Sequence, residues 1–173
     1  MTGKHLVLIG LMGAGKTTVG VECASRLERA FVDTDDLVTS MANMSVEAIF
    51  ADGGEPVFRM LEHDVVADVC ASPMPLVIAC GGGTVVDPES RRALRAAGIV
   101  IWLRAPTATV LSRVGDDAGR PLLRDDPEGA LQRLGRLREL TYEAAAHAAV
   151  DTGDLDVPEV VAAVLAAYET AAA

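Results

Sequence analysis

Short apolar runs alternate with longer stretches of helical periodicity along this chain. The first run, Leu6-Val7-Leu8-Ile9, is continuous rather than alternating, as in a strand buried on both faces. Similar runs at 30–32, 76–79, 98–103 and 148–150 predict four further strands, the second ending in Asp33. Helices are expected near 16–28, 35–42, 45–51, 55–71, 88–97, 107–114, 128–145 and 157–170. The last puts Val160, Val161, Val164, Leu165 and Tyr168 on one face, with Pro158 in its first turn, where proline is tolerated. Strands alternating with helices predict an α/β fold, a parallel sheet covered by helices on both faces. Such sheets bind ligands at the carboxyl ends of their strands, so residues 10–17, 33–35 and 81–83 are expected at one edge. Residues 115–127, rich in Gly, Pro and charge, break the pattern and read as a mobile lid, the plainer alternative being an ordinary solvated connector.

The segment after the first strand changes the picture most. Gly10-Leu11-Met12-Gly13-Ala14-Gly15-Lys16-Thr17 is a phosphate loop of the form G-x-x-x-x-G-K-S/T, between a strand and a helix with Val19, Cys23 and Leu27 on one face. Its glycines let backbone N–H groups turn inward, and the next helix points its positive end at the same place. Lys16 would reach the β- and γ-phosphates, and the Thr17 hydroxyl would bind Mg²⁺. Lys4 and Lys16 are the only lysines against thirteen arginines, so composition did not put a lysine there.

At 173 residues the chain is expected to be one domain. Half of it is apolar but only 3% is aromatic, which predicts a core of Ala, Val, Leu and Ile. A net charge of -10 argues against nonspecific nucleic-acid binding. No apolar stretch approaches the roughly 18 residues of a membrane helix, and no signal peptide is visible. Cys23, Cys70 and Cys80 are widely spaced and odd in number, as expected of buried free thiols in a reducing cytoplasm. His5, His63 and His147 have no evident metal or nucleophile partner and read as structural.

Several other patterns carry chemistry. Asp33 and Asp35 stand two apart at a strand end, where one can face Mg²⁺ through water and the other a substrate hydroxyl. The plainer role there is for Asp35 or Asp36 to cap the next helix. Phe58-Arg59-x-x-Glu62 spaces an arginine and a glutamate one turn apart, so Glu62 can hold the guanidinium; alone, this is an ordinary surface pair. Gly81, Gly82 and Gly83 allow close backbone approach to a ligand, or merely a tight turn. Arg113, Arg120, Arg124, Arg133, Arg136 and Arg138 crowd into 26 residues, and planar guanidinium groups suit carboxylates and phosphates. Arg133 and Arg136 are the first to discount as solvated.

Taken in order, these motifs resemble the shikimate kinase family nearly end to end. The phosphate loop is followed by D-x-D at Asp33-Thr34-Asp35, F-R-x-x-E at 58–62, the triple glycine, R-P-L-L at 120–123 and R-x-x-x-Y from Arg138 to Tyr142. The resemblance implies a P-loop, nucleoside-monophosphate-kinase-like fold with sheet order 2-3-1-4-5. It implies transfer of the ATP γ-phosphate to the 3-hydroxyl of shikimate, in the pathway to chorismate and the aromatic amino acids. It assigns ATP to Gly13, Ala14, Gly15, Lys16, Thr17, Thr18, Arg113 and Arg120, with Arg113 stacking on adenine and Arg120 closing over the phosphates. Shikimate falls to Asp35, Arg59, Gly81, Gly82, Gly83 and Arg138, and Mg²⁺ to Thr17 and, through water, Asp33. Lys16, Asp35 and Arg120 would be catalytic. Residues 151–156 depart from the family in lacking its frequent adenine-loop arginine. A cytoplasmic monomer acting on ATP and shikimate, without nucleic acid or membrane, is the expectation. Its rivals are a gluconate or nucleotide kinase of the same fold and a nucleotide-switched regulator. The N-K-x-D of guanine-specific switches is absent, since no lysine follows residue 16.

Overall fold

The five apolar runs become the strands of one parallel sheet. The structure is a computed structural model and describes residues 3–114 and 126–173. β1 (His5–Ile9), β2 (Phe31–Asp33), β3 (Val77–Ala79), β4 (Gly98–Arg104) and β5 (Ala148–Asp151) lie in the order β2-β3-β1-β4-β5, the order the resemblance implied. Leu6, Val7 and Leu8 sit opposite Val77, Ile78 and Ala79 on one side and Ile99, Val100 and Ile101 on the other. Asp33 in turn lies beside Ala79. The carboxyl ends of β2, β3 and β1 are therefore flush, and the segments that follow leave from one edge.

Alternation along each strand sends side chains to two cores. Leu6, Leu8, Ile99, Ile101 and Leu103 pack against α1 (Lys16–Leu27) and α7 (Val157–Ala172). Val7, Ile9, Val100 and Trp102 pack against α3 (Val46–Cys70), α4 (Pro88–Ala97) and α6 (Pro127–Ala145). Aliphatic residues dominate both, as composition predicted, yet Phe58, Trp102, Tyr142 and Tyr168 are buried as well. On α7, Val160, Val161, Val164 and Tyr168 are buried and Leu165 packs at the margin.

Three boundaries differ from the sequence reading. The helices expected at 45–51 and 55–71 are two arms of α3, broken where Gly54 takes φ 70° and ψ -174°. α2 (Thr34–Ala42) is capped by Asp33, whose carboxylate accepts from the Asp35 N–H, so neither Asp35 nor Asp36 is the cap. α6 starts at Pro127 behind an Asp126 cap, so the segment set aside as 115–127 ends before these two residues. The remainder of that expected lid, 115–125 with Arg120 and Arg124, lies outside the described residues. A 3₁₀ turn at Thr84–Val86, unforeseen, joins the triple glycine to α4.

The histidines serve the scaffold. His5 Nδ1 accepts from the Leu76 N–H (3.0 Å) and His147 Nδ1 from the Val100 N–H (2.9 Å), and burial lowers the pKa of both. Cys23 and Cys80 are buried free thiols; Cys70 is only half-buried. No helix among the described residues is long and apolar enough to cross a membrane.

Candidate active site

A cleft of about 550 Å³ opens at the carboxyl edge of the sheet. One wall is the phosphate loop with Gly13, Gly15, Lys16, Thr17 and Thr18. The opposite wall carries Asp35, Arg59, Glu62 and Arg138, with Asp33 between the two and Cys80 to Gly83 as the floor. The three separate chain regions expected to converge do so.

On the loop side, Gly10, Gly13 and Gly15 all have positive φ (143°, 76° and 96°), and Gly15 caps α1 with no side-chain bond. The first N–H groups of α1 are thus left to an anion. Lys16 Nζ donates to the carbonyls of Gly10 (2.9 Å) and Leu11 (2.8 Å), which holds the ammonium against its own loop. Ala14 contributes no side chain to the cleft: its methyl lies in the core, and its N–H donates to Leu11 O (3.1 Å). The Thr17 hydroxyl donates to Asp33 Oδ2 at 2.8 Å, while Asp33 Oδ1 accepts from the Asp35 N–H at 3.0 Å. A hydroxyl and a carboxylate side by side are hard oxygen donors. That set suits Mg²⁺, which takes few protein oxygens and completes its shell with phosphate and water. Among the described residues no group of three or more His, Cys, Asp or Glu gathers as a metal cage.

On the far side, charge is held by pairing. Arg59 Nη1 donates to Glu62 Oε2 (2.6 Å), and its Nη2 to Glu55 Oε1 (3.0 Å). Glu62 is buried, and its other oxygen accepts from the Thr84 hydroxyl (2.5 Å). The guanidinium is thereby fixed over Gly83, where a Cβ would come within 2.5 Å of Arg59 Nη2. At Gly81 a Cβ would come within 2.6 Å of Asp35 Oδ1 and 2.7 Å of Glu62 Oε1. Space rather than backbone shape calls for these two glycines: neither has positive φ, and a methyl group would push the Arg59, Asp35 or Glu62 head group from its place. Burial pushes the Asp35 carboxyl up to about 6, and the neighbouring Asp33 and Glu62 charges add to it. Arg138 is 7% exposed, an unusual depth for a cation lining a cleft, and such burial favours an anionic partner.

Other expected residues fall elsewhere. Arg113 is in α5 (Thr107–Val114), its side chain outside the described set, as is all of Arg120. Arg133 and Arg136 are exposed, and Arg133 pairs with Asp126 (3.3 Å). At the end of β5, Asp151 is taken by a two-pronged bond from Arg104 (2.6 and 2.7 Å). Sequence reasoning missed the apolar lining: Met12, Val46 and Phe50, which joins Phe58 at a ring separation of 5.1 Å. A signal existed, because Phe50 and Phe58 are two of only three phenylalanines and flank the Gly53-Gly54 break.

With this geometry in place, the relatives can be set beside it. The profile of the family described as shikimate kinase matches residues 12–169. A shikimate kinase of Francisella tularensis subsp. novicida is 38% identical over 159 residues, covering 91% of this chain and 90% of that protein. A solved structure of shikimate kinase from Acinetobacter baumannii in complex with shikimate superposes at a TM-score of 0.91 with 34% identity, covering 94% of this chain and 90% of that one. The enzyme from Aquifex aeolicus superposes at 0.83 with 31% identity over 95% of this chain and 96% of its own.

Proposed function

This chain belongs to the shikimate kinase family, and we propose that it transfers the γ-phosphoryl group of ATP to the 3-hydroxyl of shikimate, a step toward chorismate. The observation that carries the reading is the buried Arg138 beside the triple glycine, on one wall with Asp35 and Arg59 and across the cleft from a phosphate loop. Shikimate has one carboxylate and several hydroxyls; two fixed guanidinium groups and one carboxylate answer that chemistry.

Phosphoryl transfer requires alignment and charge neutralisation more than covalent help. The α1 amides and Lys16 hold the phosphates, Lys16 exchanging its loop carbonyls for phosphate oxygens. Arg59 and Arg138 fix the acceptor by its carboxylate. Asp35, ionised above about pH 6, accepts the proton of the attacking hydroxyl or orients it. Thr17 and Asp33 would hold Mg²⁺, which supplies charge neutralisation on the phosphates. The roles of Arg113 on adenine and Arg120 on the phosphates rest on the sequence resemblance alone. We also assign the enzyme to the cytoplasm as a monomer; three free thiols support a reducing compartment.

An ADP-release assay with shikimate, gluconate and nucleoside monophosphates as acceptors tests this. Shikimate should be the preferred acceptor, with phosphorus NMR placing the new ester on the 3-hydroxyl. Faster turnover of gluconate or a nucleotide overturns the reading.

A further inference from the structure

Tyr142 has no part in the roles assigned above, yet it joins two parts of the cleft. The ring is 1% exposed and packs on Trp102 with centroids 5.7 Å apart. Its hydroxyl donates to the carbonyl of Gly82 at 2.5 Å, the middle of the triple glycine. Four residues earlier on the same face of α6 stands Arg138. A Cβ on Gly82 would lie 3.3 Å from Arg138 Nη1 and 3.5 Å from the Met12 N, so this peptide is the spacer between the guanidinium and the phosphate loop.

We propose that Tyr142 is a positioning residue for the acceptor: its hydroxyl clamps the glycine loop to α6 and so sets the distance between Arg138 and the floor of the cleft. This rests on the acceptor reading of Arg138 given above. The ring alone suffices for the core, since a phenyl group would fill the same space against Trp102. What the hydroxyl adds is a tie at the middle of a glycine loop whose two ends are already held, the Gly81 N–H by the Thr34 hydroxyl (2.9 Å) and the Gly83 carbonyl by the Val86 N–H (3.0 Å). Burial pushes the phenol above its ordinary pKa, against the pull of Arg138, so it remains a donor at any working pH.

The test is steady-state kinetics of Tyr142→Phe, with nucleotide binding measured separately by calorimetry. The KM for shikimate should rise about tenfold, as for loss of a buried hydrogen bond, with kcat and nucleotide affinity held within about twofold. Combined with Arg138→Lys, the losses should be less than multiplicative, because both changes disturb one contact. A hydroxyl that only stabilised the core would lower the melting temperature and leave the shikimate KM alone. Gly82→Ala gives an independent arm: it keeps the phenol but presses a methyl group toward Arg138, and should also raise the shikimate KM selectively. Shikimate KM values within twofold of wild type in both variants overturn the clamp, as do losses that simply multiply with Arg138→Lys. A wild-type chain that does not phosphorylate shikimate overturns instead the function on which the clamp rests.

Discussion

Eight consecutive residues make the phosphate side of the cleft, whereas the acceptor side draws Asp35 from α2, Arg59 and Glu62 from α3, three glycines from beyond β3 and Arg138 from α6. The first works with backbone amides and one ammonium that rests on its own loop carbonyls. It needs little from the rest of the molecule except a strand behind it and a helix ahead. The second works with charged side chains brought out of water, and each must be partnered or pay in pKa. Arg59 is held by Glu62 and Glu55, Glu62 also by Thr84, and Asp35 is pushed up to about 6. The contrast implies that damage to the phosphate side shows in rate alone. Damage to the acceptor side should show in substrate affinity and in stability together.

The largest effect belongs to the phosphate side. Lys16→Ala should lower kcat about 100- to 1,000-fold, the cost of losing one stabilising group, with a much smaller effect on the melting temperature. Near-normal turnover would remove Lys16 from the chemistry. Across the cleft, Glu62→Ala leaves the partly buried Arg59 guanidinium with Glu55 alone and takes away the acceptor of the Thr84 hydroxyl. It should cost about 3 kcal/mol of stability, read by urea unfolding, as well as shikimate affinity. An unchanged unfolding midpoint would break the contrast. Arg59→Lys or Arg138→Lys keeps the charge but loses the planar fork, and should weaken shikimate binding by about 1.5–3 kcal/mol with ATP binding unaltered in calorimetry.

The same contrast explains what could be read in the chain. The phosphate loop is contiguous, so spacing alone revealed it, and the strands either side of it were legible from uninterrupted apolar runs. The residues proposed to hold the acceptor stood out only as a series of short motifs in a family's order. Their physical logic, Glu62 bridging Arg59 to Thr84 across 22 residues, is set by tertiary packing. Val46 and Phe50 carry no local mark of a pocket: they become lining only because α3 bends at Gly54. The cap of α2 falls on a residue that the plainer alternative did not name, for a similar reason. Asp33, Asp35 and Asp36 are equally good caps by type, and the strand register decides that Asp33 is the one at the junction.

Asp35 offers the finest test, because it separates the two halves by pH. In the folded chain its carboxyl titrates near 6, against an ordinary 3.8, with burial the main cause and the Asp33 and Glu62 charges next. Between those values the folded state holds a proton that the unfolded chain has released. Stability from this group is therefore complete below about pH 4, falls as pH rises, and is fully lost above about pH 6. Asp35→Asn removes that loss. The variant should match wild type near pH 4 and exceed it near pH 8 by about 2 kcal/mol, roughly 4–8 °C in melting temperature. Its turnover should nonetheless collapse, since the amide cannot take the hydroxyl proton. In the wild type, kcat/KM for shikimate should fall with unit slope below about pH 6 as the carboxylate is protonated. Asp33→Asn should move that limb to lower pH by removing a neighbouring negative charge, a direct reading of how the residue between the two walls acts on the acceptor side. A limb that stays in place would mean that the Asp33 charge does not reach Asp35, leaving burial and Glu62 to raise its titration.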